Sequence, residues 1–129
     1  MTTILLVDDA LEIRDVVSTF LIEEGYDVTT CGRAEEALTR LVLGLPDLLI
    51  LDGRLPSMSG WQCLDLLRAS ERTARLPVLM LTAALDDLEQ AGQSPDECTS
   101  YLAKPFDIDA LLAAMRQVVE TCNQESVAA

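Results

Sequence analysis

The chain has 129 residues, half of them apolar, and a formal charge of −13 from 22 acidic and 9 basic residues. This length suits one domain with a real core, and the apolar share excludes disorder throughout. The acidic excess disfavours direct contact with nucleic acid or an anionic membrane, since both recruit Lys and Arg.

No apolar stretch approaches the ~18 residues that span a bilayer, and no basic region precedes an apolar segment at the amino end. The chain therefore reads as cytoplasmic. It contains no histidine, which rules out a Ser–His or Cys–His nucleophile pair and an imidazole zinc site. Cys31, Cys63, Cys98 and Cys122 are scattered without a C-x-x-C pair. Such a count is not a disulfide framework in so apolar a chain, and buried or half-buried thiols are the expectation.

In chain order, residues 3–8 read as a strand. Ile13, Val16, Val17, Phe20 and Leu21 recur at helical spacing from Leu11 to Glu24, with Gly25 as the C′ glycine. Tyr26 to Cys31 is β-rich. Ala34, Ala37, Leu38, Leu41 and Val42 form a second helical face, closed by Gly44 and Pro46. Asp47 to Asp52 is a near-continuous apolar run, as expected of a strand covered on both faces. Ser59 is placed to N-cap a helix through Arg68. Residues 76–82 form a fourth strand.

Between Ala84 and Thr99 the pattern predicts a short helix near 86–91 and then an irregular connection, because Gly92 and Pro95 interrupt it. After a fifth strand around Tyr101, Asp107 caps a last helix carrying Ile108, Leu111, Leu112, Met115, Val118 and Val119. The domain is expected over 1–120, with 121–129 as a flexible tail. Strands alternating with helices give an α/β fold with a parallel sheet and helices on both faces.

Four of the apolar runs end in functional groups. Ile4-Leu5-Leu6-Val7 meets Asp8-Asp9, and Leu48-Leu49-Ile50-Leu51 meets Asp52; Val78-Leu79-Met80-Leu81 meets Thr82, and Tyr101-Leu102-Ala103 meets Lys104-Pro105. Ligands of open α/β sheets bind at the carboxyl ends of the strands, so these groups should converge. Three clustered carboxylates against one ammonium leave about two negative charges if all are ionised. That balance suits Mg²⁺, which prefers oxygen ligands; Ca²⁺ fits less well, because no ligand-rich loop of the EF-hand type is present. A carboxylate can accept a phosphoryl group, and Asp52, ending the middle strand, is the best-placed acceptor. The Thr82 hydroxyl, the Ala83 N–H and Lys104 would meet the charge on the transferring group.

The ordered set Leu6-Val7-Asp8-Asp9, Leu51-Asp52, Pro56 with Gly60, Leu81-Thr82-Ala83 and Tyr101-Leu102-Ala103-Lys104-Pro105-Phe106 resembles the response-regulator receiver domains of two-component signalling, over roughly residues 3–120. The resemblance implies a flavodoxin-like (βα)₅ three-layer sandwich with strand order 2-1-3-4-5. It implies Asp52 as phosphoacceptor, and Mg²⁺ held by Asp8, Asp9, Asp52 and the backbone carbonyl of Arg54. Lys104 is then the phosphoryl-pairing ammonium, Thr82 the switch hydroxyl and Tyr101 the switch aromatic. The N–H groups of Gly53 and Ala83 line the phosphoryl site, and Lys104-Pro105 is expected cis. A sensor histidine kinase or histidine phosphotransfer protein is implied as donor, and a downstream protein as target.

The chain departs from the family pattern at Leu55, where Met is usual, and at Glu97-Cys98, where Gly-Ala is usual. The second departure bears on the helix before the fifth strand and on the output surface. Two other readings stand beside this one. An aspartyl-phosphate phosphatase or phosphotransferase needs an acid two residues after its nucleophile, where this chain has Arg54. A docking module would keep the acidic cluster without ever being phosphorylated. On the leading reading the chain is not an enzyme.

Overall fold

β1 (Thr3–Val7), β2 (Asp27–Cys31), β3 (Leu48–Asp52), β4 (Val78–Thr82) and β5 (Thr99–Ala103) form one parallel sheet of order β2-β1-β3-β4-β5. The computed structural model describes residues 2–83 and 96–128, with side chains as far as 123. The helix expected near 86–91 lies outside the described residues. Among them are four helices: α1 (Leu11–Glu23), α2 (Ala34–Leu43), α3 (Gly60–Ala69) and α4 (Ile108–Ala128).

Strand alternation sorts the core into two layers. Leu5, Val7, Leu49, Leu51, Val78 and Met80 face α2 and α3, where Ala37, Leu41, Leu64 and Leu67 meet them. Ile4, Leu6, Ile50, Leu79 and Leu81 face α1 and α4, and pack on Val17, Leu21, Leu111 and Met115. Every residue of β3 and β4 is buried, while the edge strands β2 and β5 are only partly covered. This is the expected three-layer α/β sandwich.

The helix ends follow the local chemistry read from the sequence. Gly25 takes φ 98°, a left-handed conformation that costs glycine little. Ser59 and Gln62 form a reciprocal capping box at the start of α3. The Asp107 carboxylate accepts from Ala110 N at 2.8 Å.

Four expectations need adjustment. The buried stripe of α1 is centred on Val17 and Leu21, whereas Val16 is 56% and Phe20 43% exposed; a 100° step turns both toward the helix flank. Val42, counted on the inner face of α2, is 74% exposed. Residues 121–128, read as a tail, continue α4 in helical conformation, and Cys122 is buried. Finally, Cys98 and Cys122 are joined as a disulfide, while Cys31 and Cys63 remain free and buried. Packing α4 across β5 brings the pair together across 24 residues of sequence.

Candidate functional site

Register decides what meets at the carboxyl edge. Val7 lies beside Leu51 and Thr82 beside Ala103, so Asp8, Asp52, Thr82 and Lys104 emerge together. Asp8 is fully buried, and its Oδ1 accepts the Ala10 N–H at 2.9 Å as α1 begins. Its Oδ2 accepts from Lys104 Nζ at 2.7 Å, and Asp52 Oδ2 accepts from the same ammonium at 3.2 Å. Asp9 is exposed, and one carboxylate oxygen from each of Asp8, Asp9 and Asp52 lies within 4.8 Å of the others. One ammonium thus bridges Asp8 and Asp52, with Asp9 beside them.

Burial, with the neighbouring Asp8 charge, pushes the Asp52 carboxyl above its ordinary value, although the Arg54 N–H and Lys104 pull the other way. Burial alone would lower the Lys104 ammonium, but the hydrogen bond to Asp8 and the charges of Asp52 and Asp8 raise it overall. By formal count the cluster sets three carboxylates against one ammonium. An all-oxygen donor set with surplus negative charge fits a hard divalent cation such as Mg²⁺.

The structure corrects one sequence-derived donor. The Gly53 N–H donates to the Leu81 carbonyl at 2.9 Å, extending the β3–β4 ladder by one step, so it does not face the phosphoryl position. The next amide, Arg54 N–H, reaches Asp52 Oδ1 at 3.1 Å instead. Thr82 is buried at the end of β4, with Ala83 exposed beyond it. Lys104 N–H donates to the Thr82 carbonyl at 2.8 Å, and the Lys104–Pro105 peptide is cis as expected.

Two contacts were not anticipated. Trp61 packs against Gly53, where an added Cβ would lie 2.6 Å from its Nε1, and stacks on Tyr101 with ring centroids 6.1 Å apart. Trp61 precedes the buried Cys63 and Leu64 on an apparent helix, and that position was the available signal. Arg68 Nη2 donates to Cys98 O and Thr99 Oγ1, and its Nε donates to Asp96, tying α3 to the entry of β5. The sequence alone does not reveal this link.

Residues 4–116 match the family described as Response regulator receiver domain. The chain belongs to that family. It is 38% identical to the dual master transcriptional regulator RpaA of Synechocystis over 125 residues, 96% of this chain and 52% of that protein. The chain spans about half the length of the curated relatives it matches. Among solved structures it resembles the chemotaxis response regulator CheY4 of Vibrio cholerae, with TM-score 0.82, 30% identity and coverage of 92% and 98% of the two chains. The receiver domain of the sensor histidine kinase PA1611 from Pseudomonas aeruginosa PAO1 matches with TM-score 0.82, 30% identity and coverage of 92% and 98%. That structure holds a magnesium ion coordinated in its active-site cleft. The chain is thus a receiver domain of two-component signalling, and the expected strand order is the observed one.

Proposed function

We infer that this receiver accepts a phosphoryl group on Asp52 from the phosphohistidine of a sensor histidine kinase or histidine phosphotransfer protein. The chain has no histidine of its own, so a donor must supply one. A carboxylate oxygen of Asp52 forms the new bond to phosphorus as the phosphorus–nitrogen bond of the donor breaks, and the product is an acyl phosphate. Lys104, the Thr82 hydroxyl and the N–H groups of Arg54 and Ala83 serve the charge on the phosphoryl oxygens. Asp8, Asp9, Asp52 and the Arg54 carbonyl would hold Mg²⁺, which supplies charge neutralisation and orientation for the incoming phosphate.

The observation that carries this reading is the shared ammonium: Lys104 bonds both Asp8 and Asp52, with Asp9 in reach of both acids. An apolar groove of about 600 Å³, lined in part by Ile13, Val16, Pro105 and Phe106, borders Lys104 and could seat a donor protein beside the acceptor. Phosphate on Asp52 would draw the Thr82 hydroxyl inward and leave room for Tyr101 to rotate. The output is then a changed surface offered to a downstream protein rather than turnover of a substrate, with no direct contact to nucleic acid or membrane. No helix among the described residues is long and apolar enough to cross a membrane, and we place the protein in the cytoplasm.

Mass spectrometry after acetyl phosphate and Mg²⁺ tests the assignment. The native chain should gain one phosphoryl group and Asp52→Asn none. An equal gain in both would move the acceptor elsewhere, and no gain in either would favour a docking module.

A further inference from the structure

Cys98 and Cys122 lie at the end of β5 remote from Lys104. Cys98 directly precedes the strand, Cys122 sits in α4, and their Cα atoms are 4.5 Å apart across the disulfide. Neither belongs to the acidic cluster. Their backbones are fixed from both sides: Asp96 Oδ1 accepts the Cys98 N–H at 2.9 Å, and Arg68 Nη2 donates to the Cys98 carbonyl at 3.0 Å. Arg75 Nη2 donates to the Cys122 carbonyl at 2.9 Å. Both cysteines are thus held in place by contacts that do not involve sulfur.

Cys122 Sγ lies 3.1 Å from the Arg75 carbonyl oxygen. All four cysteines are buried, and Cys31 and Cys63 remain free thiols. Burial, with nearby negative groups, pushes their thiols up to about 11 and about 12, which suppresses the thiolate needed for exchange.

We propose that Cys98 and Cys122 are a reversible dithiol–disulfide site that staples α4 to the entry of β5 when a low-molecular-weight disulfide is abundant. One cysteine thiolate attacks a sulfur of oxidised glutathione and expels one glutathione thiolate. The second cysteine thiolate then attacks the protein sulfur of the mixed disulfide, closing the bridge and expelling the second glutathione. The protein gives up two electrons and two protons, and two reduced glutathiones carry them away. The bridge is remote from Asp52, so it sets how firmly α4 is held on the Tyr101 strand without altering the phosphoryl chemistry. Disulfides in reducing compartments are mostly transient or sensing ones, which suits a site that opens and closes.

Thiol trapping on the full chain tests the proposal. After equilibration with excess oxidised glutathione, denaturation and alkylation with N-ethylmaleimide, the protein should carry two labels; after excess dithiothreitol under native conditions it should carry four. Peptide mapping should join the Cys98 and Cys122 peptides. Closing the bridge should raise the melting midpoint by roughly 10 °C, and this difference should vanish in Cys98→Ser/Cys122→Ser. The double variant should still be labelled on Asp52 by acetyl phosphate as fast as the native chain. Four labels in both conditions, a bridge through Cys31 or Cys63, or a bridge that dithiothreitol leaves closed would overturn the proposal.

Discussion

A methyl group on Gly60 would lie 1.9 Å from the carbonyl oxygen of Asp52. The start of α3 therefore rests directly on the backbone of the proposed acceptor, and Gly60 N–H donates to the Gly53 carbonyl at 3.0 Å. Gly60 is required here by close approach of two backbones, not by an unusual φ.

Gly60→Ala should destabilise the domain by about 1–3 kcal/mol or more, since neither backbone can yield cheaply. Urea unfolding measures the loss. Labelling of Asp52 by acetyl phosphate should slow as well, because the clash falls on that residue. A variant with native stability and native labelling would contradict the contact.

Lys104→Met removes the cation shared by Asp8 and Asp52 and leaves two buried carboxylates without it. Stability without Mg²⁺ should fall by about 1–3 kcal/mol. Adding Mg²⁺ should restore a larger share in the variant than in the native chain, because a bound cation stabilises the folded state by linkage. Equal Mg²⁺ gains in both proteins would mean that the ion and the ammonium do not share the same acids.

The raised Asp52 carboxyl gives a signed pH effect. Between its ordinary value of 3.8 and the raised folded value, the folded state binds the proton more readily, so ionisation costs stability as pH rises through that window. Asp52→Asn removes this cost. In EDTA the variant should be more stable than the native chain at neutral pH, by on the order of 1 kcal/mol, and the advantage should shrink as pH falls toward 3.8. An advantage that grows on acidification would reverse the sign and refute the burial argument.

Trp61 is the only tryptophan of the chain, and its ring touches Gly53 on one side and Tyr101 on another. Its emission should change when Mg²⁺ and beryllofluoride are added, and the change should be lost in Asp52→Asn. Trp61→Leu should cost about 1–3 kcal/mol through lost packing. Constant emission during confirmed binding would separate the indole from the site.

β1, β3 and β4 were legible because each is covered on both faces, so their apolar runs carry no alternation to misread. Their ends put Asp8, Asp52 and Thr82 at one edge, and Lys104 followed from the run after Tyr101. Gly25, Ser59 and Asp107 were readable because capping depends on neighbours in sequence. Val16 and Phe20 were misjudged because spacing fixes a helical stripe but not its width. The Gly53 amide depended on how far the β3–β4 ladder runs, which no local pattern states. The Cys98–Cys122 bridge and the Arg68 contacts arise only when α4 and α3 dock against β5, long after local signals end.

The ion pair between Lys104 and Asp8 joins residues 96 positions apart. During synthesis the first acid leaves the ribosome well before the ammonium that compensates it. A growing chain that has completed β1, β3 and β4 still lacks the ammonium that Asp8 and Asp52 share, until residue 104 arrives and folds back.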